Sequence, residues 1–351
     1  MSLDDDHREV SEPLKFPMPF QARVNPHLDM LLQRSESWAR AMGMLSGGGH
    51  PDDWAVWDDL SVFHTIAAPE LTAYCWPVAP PRAAALLHDI MVWYFAFDDH
   101  FQCRYKVTRD TDGAREHIER LPTFMPLTPD EPVPSPRNAV EEGLADLWPR
   151  LIESRPARWR RDWKDGITRF CAGAIQEMVH LATGRVLDLV EYVQLRRETF
   201  GSYTAAFYVD ISTGVTIPEK IRNSREIQVL LDSFMDYMAL SNDIFSYERE
   251  IDDEGCATNL VLSVQNLLGG PLPQAVSIAN DLVSARLRQF EYTLDVELPE
   301  AAARLKLNDA ERADLAAWVE GASDYLSGIL AWHVKAARYR ARVPLSRGER
   351  T

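Results

Sequence analysis

The sequence is poor in several features that mark common classes of protein. Its four cysteines, Cys75, Cys103, Cys171 and Cys256, lie far apart and form no C-x-x-C pair. This spacing argues against a disulfide-stapled domain or a zinc site, and it predicts reduced thiols in a cytoplasmic protein. The sequence also contains no G-x-x-x-x-G-K phosphate loop and no H-E-x-x-H zinc motif.

Long apolar runs and excess basic charge are missing as well. The longest apolar stretch, residues 83 to 97, is interrupted by His88 and Asp89 and is too short to span a bilayer. The N-terminus begins with an acidic segment, so we expect no signal peptide. The chain has 53 acidic and 37 basic residues, a formal net charge of −16. This balance argues against nucleic acid or an anionic membrane as a partner.

Apolar and aromatic residues are abundant and follow helical spacing. The chain is 46% hydrophobic and has 10 Trp, 13 Phe and 11 Tyr, enough for a large core and an aromatic-lined cavity. Nine segments show helical periodicity, and they predict an all-α fold: residues 27–44, 83–104, 139–153, 158–182, 188–213, 224–250, 257–268, 273–297 and 309–340. We expect one domain over residues 14–342, with flexible tails at residues 1–13 and 343–351.

A row of oxygen-bearing side chains is predicted on one of these helices. The segment N-D-I-F-S-Y-E-R-E places Asn242, Ser246 and Glu250 four residues apart. At about 100° per residue, the three side chains fall on one helix face. An amide, a hydroxyl and a carboxylate form a set of hard oxygen ligands that suits Mg²⁺. A polar face turned to solvent would produce the same pattern.

A second acidic cluster lies far upstream. Asp98 and Asp99 follow an almost wholly apolar run in F-A-F-D-D-H-F-Q, residues 95 to 102. Two adjacent carboxylates at the end of a buried helix repel each other unless a cation balances them, although they could also emerge into water. Together with Asn242, Ser246 and Glu250, the pair predicts the opposite wall of a Mg²⁺ site.

These motifs resemble those of the class I terpene synthases, in which an aspartate-rich motif and an N-D-x-x-S-x-x-x-E motif face each other across the mouth of an all-α barrel. Arg196 lies 46 positions before Asn242 (242 − 196 = 46), which is similar to the diphosphate-sensing arginine of the family. Arg338 and Tyr339 resemble its Arg-Tyr pair, and Arg249 resembles its basic diphosphate contact. The resemblance implies three Mg²⁺ ions that bind a prenyl diphosphate together with these residues.

Within the family, four segments resemble the germacradienol-forming N-terminal domain of bacterial geosmin synthase: residues 19–28, 143–148, 191–197 and 248–255. The likeness covers roughly residues 14 to 342. Geosmin formation needs a second such domain and this chain ends at Thr351, so we expect another product.

Two positions depart from the family pattern. Gln102 stands where the aspartate-rich motif usually ends in Asp or Glu, so we expect weaker metal binding on that side. The family breaks a helix just after its sensing arginine, here near Thr199, Phe200 and Gly201, and points a backbone carbonyl at the cleaving bond. Gly201 makes such a break plausible because glycine tolerates unusual backbone angles. Arg197 is the main rival of Arg196 for the sensing role.

The resemblance predicts a Mg²⁺-dependent sesquiterpene cyclase, a monomer or homodimer, that ionises farnesyl diphosphate. Trp93, Phe97, Phe207 and Trp332 are candidates for the aromatic cavity wall, where they would stabilise a carbocation, although each could be ordinary core. A chain-elongating prenyltransferase fits less well, since its second metal motif is also aspartate-rich. A monoterpene or diterpene cyclase, or a degenerate binding protein without turnover, stays open.

Overall fold

The computed structural model of the protein describes residues 16–253, 255 and 258–339. The predicted tails at residues 1–13 and 343–351 lie outside the described residues. The described residues contain fifteen α-helices: α1 Leu28–Ala41, α2 Leu60–Thr65, α3 Ala68–Cys75, α4 Pro81–Phe101, α5 Thr111–Arg120, α6 Ala139–Ile152, α7 Ala157–Thr183, α8 Leu189–Thr199, α9 Ser202–Thr213, α10 Glu219–Arg222, α11 Arg225–Glu248, α12 Leu260–Leu268, α13 Leu272–Tyr292, α14 Leu298–Arg304 and α15 Asp309–Lys335.

The predicted all-α fold is confirmed. Within the described part of the chain, β pairing is limited to an isolated bridge between Leu45 and Trp57. Each predicted segment contains a helix, and the segment at residues 188–213 is divided into α8 and α9. The short helices α2, α3, α5, α10 and α14 were not predicted, because helices of ten residues or fewer carry little periodicity. No helix among the described residues combines the length and apolarity needed to cross a membrane.

Three helices continue into π turns, at Gln102–Lys106, Arg249–Asp253 and Thr293–Glu297. A π turn contains one more residue than an α turn, so it changes which side chains share a face. The first follows α4 directly after the aspartate pair, and the second follows α11 within the N-D-x-x-S-x-x-x-E motif. Both therefore adjust the direction of side chains beside the predicted metal motifs.

Polar residues define where several helices begin. The side chain of Ser224 accepts a hydrogen bond from the Ile227 amide at the start of α11. At the start of α15, the Asn308 Oδ1 accepts from the Glu311 amide at 2.9 Å, and the Glu311 carboxylate accepts from the Asn308 amide at 2.8 Å. Each such cap contributes about 1 kcal/mol by satisfying amides that have no partner inside the helix.

The core joins these helices through apolar packing and buried ion pairs. Asp89 of α4 is fully buried and lies 2.6 Å from both Arg34 of α1 and Arg150 of α6. The α15 backbone passes close to α3 at Gly328, where an added Cβ would stand 2.2 Å from the Tyr74 carbonyl oxygen. Seven helices are brought around one cavity in this way: α3, α4, α7, α8, α9, α11 and α15.

Candidate active site

The cavity between these seven helices is lined by most of the residues that the sequence motifs single out. Eleven of the predicted site residues lie on its wall: Asp98, Arg196, Phe200, Gly201, Asn242, Ser246, Arg249, Glu250, Trp332, Arg338 and Tyr339. They come from α4, α8, α11 and α15 and from the turns that follow these helices. The fold therefore brings together residues that are up to 241 positions apart (339 − 98 = 241).

The Asn242, Ser246 and Glu250 row faces the cavity from α11 and its π turn. The Asn242 Nδ2 donates to the Tyr339 hydroxyl at 3.1 Å and to the His333 Nε2 at 3.0 Å. The Ser246 hydroxyl donates to the Asn242 carbonyl at 2.9 Å. The two bonds of Nδ2 orient the side-chain amide of Asn242 with its Oδ1 toward Arg196.

Glu250 is held by a residue that the sequence motifs do not indicate. The Asn259 Nδ2 donates to the Glu250 Oε2 at 2.9 Å and to the Asp243 carbonyl at 3.0 Å. The Oδ1 of the same Asn259 accepts from the Val261 amide and caps α12. Burial raises the pKa of Glu250 to about 7, although Arg196 opposes the shift. The ionised carboxylate is thus costly here unless a cation approaches it.

Arg196 extends from α8 into this polar wall. Its Nη2 donates to the Asn242 Oδ1 at 2.8 Å, and its Nε lies 2.8 Å from the Asp243 Oδ1. The Tyr192 hydroxyl donates to the other oxygen of the same carboxylate. Burial alone would lower the pKa of Arg196, but Asp243 outweighs it and holds that pKa well above its usual range. Arg196 therefore stays positively charged.

Its neighbour Arg197 lies elsewhere, as the rotation of about 100° per residue requires. Arg197 pairs with Asp236 through two bonds of 2.6 and 2.8 Å, and Arg286 of α13 pairs with the same carboxylate at 2.9 Å. Arg197 thus ties α8 to α11 and is absent from the cavity wall.

The two aspartates of the first motif have different surroundings. The Asp98 side chain is 58% exposed and lines the cavity, whereas Asp99 is buried and does not. The Asp99 carboxylate accepts from Arg338 at 2.7 Å, from Arg249 at 3.2 Å and from the Trp57 indole at 2.8 Å. Burial would raise the pKa of Asp99, but the two arginines lower it to about 2. The Asp99 oxygens are thus paired with cationic and indole donors, and its role as a metal ligand stays a prediction from sequence.

Gln102, the last position of the first motif, lies apart from the cavity. It begins the π turn after α4, is 5% exposed and is absent from the cavity wall. Its Oε1 is buried and has no hydrogen-bond partner among the described residues. The amide of Gln102 therefore does not line the cavity beside Asp98, and the weaker metal binding expected on that side stays a prediction. On the same turn, Lys106 reaches the cavity and pairs with Glu177 at 2.7 Å.

The apolar wall comes largely from aromatic residues that were not predicted. Phe95 and Tyr94 of α4, Phe170 of α7 and Tyr208 of α9 join Phe200 and Trp332 around the cavity. Trp332 also donates its indole N–H to the Ile66 carbonyl at 2.9 Å and stacks edge-on with Tyr339. The Arg338 guanidinium lies 5.0 Å from the centre of the Phe95 ring.

Three predicted cavity residues lie outside this wall. Trp93 donates its indole N–H to the Val140 carbonyl of α6 and stacks on Phe97, and both rings are buried in the core. Phe207 packs edge-on against Trp159 of α7. For Trp93 and Phe97 the helix spacing explains the correction, because residues three, four and seven positions before Asp98 share its face, and these are Phe95, Tyr94 and Met91.

The expected helix break is present between α8 and α9. Gly201 has φ of +72°, a left-handed conformation, and a Cβ at this position would stand 2.9 Å from the Tyr94 ring. The Gly201 carbonyl accepts from the Thr204 amide at 3.0 Å and from the Thr204 hydroxyl at 2.6 Å. The Gly201 carbonyl therefore bonds within the first turn of α9, and which carbonyl near the break would face a substrate stays a prediction.

The donor set of the cavity suits a hard divalent cation. Among the described residues, no three His, Cys, Asp or Glu side chains converge as a self-sufficient metal site. Oxygens of Asp98, Asn242, Ser246 and Glu250 instead face one cavity, and desolvation raises the pKa of the partly buried Glu250 carboxylate. A cation held by few protein oxygens completes its coordination with water or with phosphate oxygens of a ligand.

Comparison with known proteins agrees with this arrangement. The family model described as terpene synthase family 2, C-terminal metal binding, matches residues 89–289. Pristinol synthase of Streptomyces pristinaespiralis is 24% identical over 92% of this chain and 83% of its own length. The (2E,6E)-farnesyl diphosphate cyclizing 7-epi-alpha-eudesmol synthase of Streptomyces viridochromogenes is 24% identical over 95% of this chain and 93% of its own.

A solved structure shows the same fold. The crystal structure of germacradien-4-ol synthase from Streptomyces citricolor superposes with a TM-score of 0.79 at 22% identity, covering 91% of this chain and 98% of the other. The family match spans more than half of the chain and includes both predicted metal motifs. The chain therefore belongs to terpene synthase family 2, which confirms the predicted class I terpene synthase family.

Proposed function

We propose that this protein is a Mg²⁺-dependent terpene cyclase that ionises farnesyl diphosphate and cyclises the resulting cation to a sesquiterpene hydrocarbon or alcohol. One observation carries the proposal. A polar rim that contains Asp98, Asn242, Ser246 and Glu250 lines the same cavity as a wall of aromatic side chains. Such a cavity offers one region for a diphosphate and another for an isoprenoid chain.

Cationic and phenolic groups of the rim would bind the diphosphate. Arg196, Arg249 and Arg338 line the cavity, and the Tyr339 hydroxyl joins them. Arg249 and Arg338 both lie within 3.2 Å of an Asp99 oxygen, so this buried carboxylate keeps the two guanidinium groups together. With a formal net charge of −16, the protein as a whole repels an anion, and the attraction must come from this local cluster.

Asp98, Asn242, Ser246 and Glu250 would hold Mg²⁺, and the resemblance to the family implies three ions. When bound, the metal supplies Lewis-acid stabilisation of the leaving diphosphate. The allylic C–O bond of the substrate breaks, its electron pair leaves with the diphosphate, and an allylic cation remains. Arginine donors aimed at the leaving oxygens stabilise the charge that develops there.

The apolar wall would then control the cation. Phe95, Phe170, Phe200 and Trp332 present aromatic rings to the cavity. Aromatic faces attract positive charge, and an apolar wall that excludes water prevents early quenching of the cation. The choice of farnesyl diphosphate is supported by the substrate printed for the eudesmol-forming relative. The closer likeness to a germacradienol-forming domain, a cytoplasmic location and the oligomeric state stay predictions from sequence.

The test is incubation with geranyl, farnesyl and geranylgeranyl diphosphates separately, with and without Mg²⁺, followed by gas chromatography–mass spectrometry. A Mg²⁺-dependent C15 product from farnesyl diphosphate alone is expected. The variants Asn242→Ala and Glu250→Ala should lose diphosphate release, while Arg197→Gln, which alters an arginine outside the cavity, should keep it. A product from geranyl or geranylgeranyl diphosphate instead would keep the mechanism and change the assigned substrate. If folded protein forms no product from any of the three substrates, the proposed cyclase activity is contradicted and a degenerate binding protein is favoured.

A further inference from the structure

A buried lysine and glutamate line the cavity outside the motifs discussed above. The Lys106 Nζ donates to the Glu177 Oε2 at 2.7 Å. The side chains are 7% and 16% exposed, so both charges are largely removed from bulk water. Ion pairs at such depth are costly to bury, and an apolar pair of similar size often packs equally well. Their position in the wall of the cavity calls for a role there.

The backbone directs Lys106 to the same wall as Asp98. Lys106 closes the π turn that follows α4, and Gln102 opens it. Because a π turn advances more slowly around the axis than an α turn, it changes the face on which the later residues lie. As a result Lys106 lines the cavity with Asp98, while Gln102 is buried away from it. The segment thus presents an ammonium group to the cavity four residues after Gln102, the position at which the family pattern usually has Asp or Glu.

Glu177 is acted on by the charge of this ammonium and by that of the rim arginine Arg196. It belongs to α7 and also lines the cavity. Burial would raise the pKa of Glu177, but Lys106 lowers it below its usual range, so the carboxylate is ionised. An ionised Glu177 holds the Lys106 ammonium at the wall of the cavity that Arg196 also lines.

We propose that Lys106 is a further diphosphate-binding residue, and that Glu177 is the positioning residue that holds its ammonium at the polar rim. The proposal rests on the proposed function, since the ligand is the diphosphate of the substrate. An ammonium has three N–H donors and can donate to Glu177 and to a phosphate oxygen at once. Its positive charge offsets part of the negative charge that accumulates on the leaving group.

Calorimetric titration of the purified protein with inorganic diphosphate, in the presence of MgCl₂, tests this without turnover. Lys106→Gln should weaken diphosphate binding about tenfold or more, and Lys106→Arg should stay within a few-fold of wild type. Glu177→Gln should bind diphosphate as tightly as wild type or more tightly, because it removes a negative charge and keeps an acceptor for Lys106. Thermal unfolding of each variant reports whether the fold is retained.

The opposite responses of the two variants separate a ligand role from a structural one. If the pair only stabilises the fold, Lys106→Gln and Glu177→Gln should weaken diphosphate binding alike, and the double variant, a neutral pair, should recover it. Equal weakening by the two single variants would overturn the proposal. Recovery of binding in the double variant, or unchanged binding by Lys106→Gln, would overturn it as well. Under the proposal the double variant stays weak.

A reference variant separates this inference from the proposed function. Arg196→Gln removes a guanidinium that the sequence motifs already place in the diphosphate site, so it should weaken binding under the proposed function. If wild type binds no diphosphate, or Arg196→Gln binds as wild type does, the proposed function fails. If Arg196→Gln is weak and Lys106→Gln is normal, the inference about Lys106 alone fails.

Discussion

At the scale of single residues, neighbours in the sequence have different tasks. Asp98 faces the cavity, while Asp99 is buried among Arg249, Arg338 and Trp57. Arg196 lies on the cavity wall, while the next residue joins a structural ion pair on another side of α8. One step of about 100° around a helix accounts for the difference between such neighbours. Substitutions at adjacent positions should therefore act on different properties.

The first residue-scale prediction concerns Gln102. Restoring a carboxylate with Gln102→Glu should lower the free energy of unfolding by about 1–3 kcal/mol, because this side chain is 5% exposed and away from the cavity. It should not strengthen metal binding. Chemical denaturation measures the change, and Val107→Glu, at a position that is 67% exposed, is the matched control and should be nearly neutral. Tighter metal binding in a fully stable Gln102→Glu variant would contradict the placement of Gln102 away from the cavity.

The second concerns Asp210, which joins three helices. Its carboxylate accepts from the indole N–H of Trp159 at 2.9 Å and of Trp318 at 2.8 Å. Burial raises its pKa from 3.8 to about 6. Because the pKa is higher in the folded state, Asp210 contributes stability that is fully present below its unfolded pKa and is lost as the pH rises through about 6.

A shift of this size corresponds to about 3 kcal/mol. We expect the free energy of unfolding of wild type, minus that of Asp210→Asn, to fall by roughly that amount as the pH is raised from below 4 to above 6. Urea unfolding of both proteins, followed by circular dichroism across this range, gives the difference. A difference that does not depend on pH would show that Asp210 titrates normally.

At the scale of elements, the face that α4 turns to the cavity decides which aromatic rings meet the substrate. Phe95→Leu should change the ratio of products, because Phe95 lines the cavity. Phe97→Leu should instead lower stability by about 1 kcal/mol with an unchanged product ratio, because Phe97 is buried in the core. Gas chromatography and thermal unfolding of both variants test the assignment. If Phe97→Leu altered the products and Phe95→Leu did not, Phe97 rather than Phe95 would face the substrate.

The break between α8 and α9 allows a comparison of two glycines. Gly201 and Gly184 both have positive φ, of +72° and +61°, but only a Cβ at Gly201 would meet another residue, the Tyr94 ring at 2.9 Å. Gly184→Ala should cost about 1 kcal/mol of stability from backbone strain. Gly201→Ala should cost more, and it should also lower the rate of diphosphate release because the break lies on the cavity wall. Equal costs in thermal unfolding would show that Tyr94 moves aside without penalty.

At the scale of the whole molecule, the fold and the proposed metal site should be separable. The described core is held by apolar packing and by ion pairs between protein groups, such as Asp89 with Arg34 and Arg150. We therefore expect chelation of divalent cations to reduce diphosphate release by on the order of 100-fold or more, with no loss of the helical signal in circular dichroism. Readdition of Mg²⁺ should restore the activity. Unfolding on chelation would contradict this separation.

The sequence alone determined the fold class, the order of the motifs and the face shared by Asn242, Ser246 and Glu250. These properties depend on helical periodicity, which acts between residues a few positions apart and is visible in the chain. The resemblance to the family implies the diphosphate-sensing role of Arg196, which stays a prediction, and the structure places this residue against Asn242. Boundaries were less predictable where a helix continues into a π turn or stops at Gly201.

Only the tertiary structure decided the partners of these residues. Asp99 meets Arg338 across 239 positions, Lys106 meets Glu177 across 71, and Phe95 rather than Phe97 faces the cavity. Each outcome depends on how distant helices pack: helix spacing tells which side chains share a face, but it does not tell which face lines the cavity. The local periodicity therefore specified the elements of the polar rim, and long-range packing determined which side chains are available to bind a diphosphate.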